Sequence, residues 1–178
     1  MKAFEVSKYY QQYFQTLQDC TADETRMFIH YIYHDEENKV LVATTGRNMF
    51  MWDIPDAEIL KPLREFLAGV KFLRYSKGIL YAVDFDGKFP EWKRVVPNVE
   101  KASCYEPIPV KLTNKANRLG AMRLMATLFY HGLYVNYDYI EPIKCLEFRE
   151  VYITGKDTAV LATAPGMRFI VMPMVQED

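Results

Sequence analysis

Cysteine is scarce in this chain: Cys20, Cys104 and Cys145 are spread over 178 residues with no CxxC pair and no histidine close by. That spacing offers neither a disulfide framework nor a zinc site, and buried free thiols are the default expectation. Histidine is equally sparse, and His30 with His34 on one segment has no third ligand within reach of the sequence, so no metal is expected. A phosphate loop is missing too, because Gly155-Lys156 lacks the preceding glycine and sits between two strand-like runs. Asp84 and Asp86 flank a turn rather than forming a catalytic pair. With no nucleophile motif either, the chain reads as a non-enzyme that needs no cofactor. No apolar run reaches the ~20 residues required to cross a bilayer, and Met1 to Glu5 lack the apolar core of a signal peptide, so no membrane partner and a cytoplasmic location are expected. Basic excess is absent as well. A net charge of −1 disfavours a protein that grips DNA by phosphate neutralisation, although a ring around DNA needs only a locally positive inner wall.

What is present is an ordinary globular composition, 50% apolar and 25% charged, sufficient for one domain or two small ones. Ser7 is placed to cap a helix to about Cys20, with Tyr10, Tyr13, Phe14 and Leu17 on one stripe. Alternation from Met27 to His34 predicts a strand, Asp35 to Asn38 a turn, Lys39 to Thr44 and Met49 to Asp53 two further strands, with Gly46 permitting the reversal. Asp56 is expected to open an amphipathic helix with Ile59, Leu60, Leu63, Phe66 and Leu67 inward, Pro62 in its first turn and Gly69 at its end. Strands Val70 to Tyr75 and Ile79 to Phe85 follow across Ser76-Lys77-Gly78.

Asp86-Gly87-Lys88-Phe89-Pro90-Glu91-Trp92-Lys93-Arg94-Val95-Val96-Pro97 reads as a joint, because a proline at each end fixes φ and removes donors. Asn98 to Pro109 is expected to be a linker or irregular edge. Thr113 or Asn114 should cap a helix to about His131 that turns Leu119, Met122, Met125, Ala126, Leu128 and Phe129 to a core and keeps Lys115, Arg118 and Arg123 on the polar side. Asp138 is expected to start a short helix with Pro142, Ile143 and Leu146. Strands Arg149 to Thr154 and Thr158 to Ala162 come next. The order of proline-bearing helix, strand, Lys/Gly turn and strand thus occurs twice, which suggests duplicated units, 1–97 and 98–178.

Three motifs carry a resemblance. The Asp86 to Pro97 joint is similar to the one between the second and third domains of the bacterial sliding clamp, the β subunit of DNA polymerase III. Val42-Ala43-Thr44-Thr45-Gly46-Arg47-Asn48-Met49 resembles the hairpin of the clamp's second domain, and Phe169-Ile170-Val171-Met172-Pro173-Met174 its terminal strand. The resemblance implies an α+β, sliding-clamp-like fold of antiparallel sheets backed by helices, in about two pseudo-repeated units. Against the clamp, the first domain is lacking and the third is shortened, with its early strands missing between Val96 and Thr113.

The resemblance also implies a cleft for short peptides of polymerase, loader or repair proteins. It would take Thr44, Gly46, Arg47, Asn48 and Met49 from the hairpin, Pro90, Arg94 and Val95 from the joint, Tyr139 at the border, and Val160, Met172, Pro173 and Met174 from the last strands. Asn48 stands where the family usually has a basic residue, and the chain ends in Val175-Gln176-Glu177-Asp178 rather than a basic-apolar pair. Lys8, Lys61, Arg64, Lys115, Arg118, Arg123 and Lys144 are the candidates to face double-stranded DNA, contacted without sequence specificity. Two domains per chain would need a homo-oligomer to close a ring. A regulator that binds clamp partners without encircling DNA is the alternative, and an enzyme on an unrelated α+β fold the third class.

Overall fold

The computed structural model describes residues 2–110 and 119–174. The chain clusters into two units, Met1–Pro90 and Glu91–Asp178, so the division falls inside the Asp86 to Pro97 stretch.

In the first unit the strands are β1 (Ala3–Glu5), β2 (Ile32–Asp35), β3 (Val40–Thr44), β4 (Asn48–Asp53), β5 (Phe72–Ser76) and β6 (Ile79–Val83). They pair antiparallel in the order β1-β6-β5-β2-β3-β4. Every residue of β3 is buried, which is why its sequence is a continuous run rather than an alternation. Helix α1 (Lys8–Asp19) lies on β3, β4 and β5 through the stripe its periodicity predicts. Phe14 and Leu17 are fully buried, each contributing about 1.5–3 kcal/mol. Tyr13 stacks on Trp52 with centroids 5.2 Å apart, and Phe14 meets the same ring edge-on at 5.4 Å. Ser7 occupies the cap position, but its hydroxyl makes no capping hydrogen bond.

Two expectations for this unit are corrected. The run from Met27 is not a strand: Met27–Ile29 form a 3-10 turn, and pairing begins only at Ile32. Local bonds prevail there, Ala22 N to Ile29 O at 2.9 Å and the His30 ring nitrogen to Ala22 O at 2.9 Å, which satisfy the backbone without a ladder and leave Phe28 exposed. The second helix does not start at Asp56; a 3-10 turn, Glu58–Leu60, leads into α2 (Lys61–Leu67), and Ile59 points to solvent at 76% exposure. Arg64 explains the delay, since its guanidinium donates to the carbonyls of Pro55 (3.0 Å) and Ala57 (2.8 Å) and ties down the non-helical entry. Between β5 and β6, Lys77 (φ 48°) and Gly78 (φ 85°) supply the two positive φ values of a tight hairpin reversal.

The second unit holds β7 (Ser103–Tyr105), β8 (Glu150–Ile153), β9 (Val160–Ala164) and β10 (Met167–Val171), antiparallel in the order β10-β9-β8-β7. The stretch Asn98 to Pro109 therefore contains one short strand, where none was expected before Thr113. Helix α3 is described over Leu119–Tyr130; its expected cap at Thr113 or Asn114 lies outside the described residues. The face it buries also differs. Gly120, Ala121, Leu124, Thr127 and Leu128 go inward, while Phe129 is 63% exposed. The helix is apolar nearly all round, so periodicity cannot choose a face; close backbone approach does. A Cβ on Gly120 would lie 1.7 Å from Leu146 O. Helix α4 (Tyr137–Ile140) is capped by Asn136, whose side chain accepts from Asp138 N at 3.0 Å, rather than opened by Asp138. The final strand ends at Val171, so Met172 to Met174 lie beyond it.

Candidate functional site

In the first unit the hairpin residues converge because their own side chains close the turn. Thr44 Oγ1 donates to Asn48 O and accepts from Gly46 N at 2.9 Å, and Thr45 Oγ1 donates to Asn48 Oδ1 at 2.9 Å. Gly46 sits at φ +87°, the left-handed conformation glycine adopts without strain. Asn48 is thereby buried and occupied with the turn, where a basic side chain would reach outward. Met49 is buried opposite Thr44, whereas Arg47 and Pro90 are exposed.

The second unit presents a different surface. Val160 is buried in β9 and Tyr139 half-buried on α4. Met172 and Met174 are 40% and 54% exposed, with Pro173 half-buried between them. The segment is held rather than frayed, because Met174 N donates to Tyr134 O at 2.7 Å. Tyr134 in turn packs edge-on against Phe129 at 5.6 Å, and both rings are exposed, as is Tyr130. Phe129, Tyr130 and Tyr134 were not among the sequence candidates; the apolar surplus of α3 beyond one buried face was the signal. Arg94 pairs with Glu91, and Val95 beside it is exposed.

The candidate cations are largely engaged with the chain itself. Arg64 holds two carbonyls and pairs with Asp56 at 3.4 Å. Arg123 donates to Pro107 O at 3.3 Å, with its Nε buried, so it is not a freely solvated polar-face cation. Lys61 faces Glu58 at 3.8 Å and Lys144 faces Glu141 at 3.1 Å. Lys8 is exposed at the start of α1, while Lys115 and Arg118 lie outside the described residues, as do Val175 to Asp178. Among the described residues no three His, Cys, Asp or Glu side chains come together as metal ligands, and no helix is long and apolar enough to cross a membrane. Burial pushes the Cys20 thiol well up, and a hydrogen bond to Glu150, with a lesser one to Cys104, pushes the Tyr152 phenol up to about 12.

Comparison with known proteins gives a fold. No family model and no curated protein matches the sequence. Solved sliding clamps do match in structure. DNA polymerase III subunit beta from Borrelia burgdorferi, in complex with a natural product, aligns at TM-score 0.53 and 16% identity over 99% of this chain and 65% of that one. The Helicobacter pylori beta clamp bound to a DNA ligase peptide aligns at 0.55 and 9% over 97% and 65%. The polymerase III beta chain of Streptococcus pneumoniae aligns at 0.56 and 12% over 98% and 64%. The chain therefore has a sliding-clamp-like fold, and it spans just under two thirds of the length of these three clamps.

Proposed function

We propose that this chain is a non-catalytic, cytoplasmic peptide-binding protein of sliding-clamp type, whose ligands are short clamp-binding segments of polymerase, loader or repair proteins. One observation carries the reading: Met172 and Met174 are exposed yet held in place through Tyr134, giving a fixed apolar surface with adaptable side chains. Arg94 and Val95, and in the first unit Arg47 and Pro90, are the proposed further peptide contacts. Asn48, Met49 and Val160 are the buried members of the same proposed set.

A second reading, a regulator that captures clamp partners without encircling DNA, gains support from the cations. Lys61 and Lys144 face carboxylates of the chain itself, and Arg64 and Arg123 donate to its carbonyls, which reduces the charge available to phosphates. Ring closure by a homo-oligomer around duplex DNA is the competing proposal, and solution mass with and without circular DNA separates the two. The peptide reading is tested by calorimetry with a peptide of one glutamine and two or three large apolar residues. Micromolar affinity is expected, about 8 kcal/mol. Met174→Asp should weaken it by at least about a hundredfold, since an unpaired charge would meet an apolar ligand, and should leave the thermal melt in place because the side chain is exposed. Equal binding by the variant, or none by the folded wild type, defeats the reading.

A further inference from the structure

The segment after β10 carries two thioethers two residues apart, Met172 and Met174, on either side of the half-buried Pro173. They are exposed, and the bond from Met174 N to Tyr134 O fixes the backbone that presents them. Most other described methionines are better sheltered: Met49 and Met51 are buried, and Met122, Met125 and Met167 half-buried. Met27, exposed on the 3-10 turn of the first unit, is the exception and belongs to no proposed contact.

A methionine sulfur is oxidised only where an oxidant can reach its lone pair, so exposure selects the sites. With hydrogen peroxide the lone pair attacks one peroxide oxygen; an S–O bond forms as the O–O bond breaks, and a proton passes to the leaving oxygen. The sulfur gives up two electrons, and the peroxide is reduced to water. The product, methionine sulfoxide, places a polar oxygen where the apolar side chains of a bound peptide would lie. That oxygen must shed its water on binding and gains no donor in return. We propose that Met172 and Met174 are a reversible oxidation site: hydrogen peroxide converts both to sulfoxides and so suppresses capture of apolar peptide segments, and methionine sulfoxide reductases restore it. This inference rests on the peptide-binding reading and adds a control to it.

The test treats the whole chain with hydrogen peroxide at a dose set by mass spectrometry of its proteolytic fragments. Dithiothreitol then returns any oxidised thiols of Cys104 and Cys145 but leaves sulfoxides in place. Met172 and Met174 should gain oxygen ahead of the buried Met49 and Met51, with the thermal melt unchanged. Calorimetry with the peptide of one glutamine and two or three large apolar residues should then show binding at least about tenfold weaker, the cost of one unsatisfied polar group. Both sulfoxide reductases together should restore it. Met27→Leu should show the same loss, whereas Met172→Leu combined with Met174→Leu should have one affinity before and after peroxide. Oxidation of Met49 and Met51 as fast as Met172 and Met174, undiminished binding once both are oxidised, recovery with dithiothreitol alone, or the same loss in the double variant would each overturn the inference and leave the peptide reading standing. No binding by the untreated wild type defeats that reading, and the inference falls with it. Should the untreated double variant bind no peptide, the wild type, its rescue by the reductases and Met27→Leu decide.

Discussion

Gly120→Ala sets two effects of opposite sign against each other. In an isolated helix the change adds about 1 kcal/mol, because alanine is the better helix former. In this chain the new Cβ would sit 1.7 Å from Leu146 O and 2.8 Å from Ile143 O, and Gly120 N itself donates to Lys144 O at 3.2 Å. Normal van der Waals contact is roughly twice the shorter distance. Those oxygens belong to backbone, so no rotamer change relieves the clash. Either α3 withdraws, loosening Ala121, Leu124 and Leu128 along the same face, or the segment from Ile143 to Leu146 shifts and the bond to Lys144 lengthens. Overpacking typically costs about 1–3 kcal/mol, occasionally more, and a rigid backbone obstacle belongs at the upper end. After the propensity gain the expected outcome is a net loss of about 2 kcal/mol. For a unit of this size that is a fall of about 8–16 °C in the melting temperature of the transition containing α3. Circular dichroism on heating and in urea reads it, with exposed Gly132→Ala as a control whose cost comes only from its φ of 71°. A variant as stable as the wild type, or more stable, would refute the close approach of α3 to the Ile143 to Leu146 segment.

Three further outcomes are expected. Thr44→Val keeps the side-chain shape but strips the donor to Asn48 O and the acceptor of Gly46 N, so urea unfolding should show a loss of about 1–3 kcal/mol; an unchanged midpoint would mean that the hydroxyl does not hold the hairpin. Tyr152, pushed up to about 12, favours its protonated form in the folded chain. Its contribution is therefore fully present below the ordinary tyrosine range near pH 10 and is lost as pH rises through about 12. Absorbance titration should show one phenol ionising late, absent in Tyr152→Phe, and its persistence in that variant would contradict the assignment. Thiol counting with a chromogenic disulfide at pH 8 should find Cys104 and Cys145 reacting in the native chain and Cys20 only after unfolding, since Cys20 is buried and its thiol raised; three fast thiols would contradict that burial.

What the sequence determined by itself is what depends on residues close in the chain. The stripe on α1, the reversal at Lys77 and Gly78, and the hairpin closed by Thr44, Gly46 and Asn48 follow from period, φ preference and hydrogen bonds spanning at most a few residues. The three motifs pointed to a clamp-like fold for the same reason: each is a local run whose conformation is nearly self-specified. Tertiary structure decided whatever required choosing between equivalent options. Alternation at Met27 to Ile29 suited a strand equally well until bonds to Ala22 closed the chain on itself. The twelve residues of α3 could have buried several faces; the approach of the Ile143 to Leu146 backbone admitted only the one bearing Gly120, and so turned Phe129 out beside Tyr134. The engagement of Arg64 and Arg123, both expected as candidates to face DNA, was not legible because their partners, carbonyls of Pro55, Ala57 and Pro107, are backbone groups that no residue type marks. His34 was buried in the same way, with its Nδ1 2.9 Å from the carbonyl of Val70, a partner distant in sequence that it meets only when the sheet has formed.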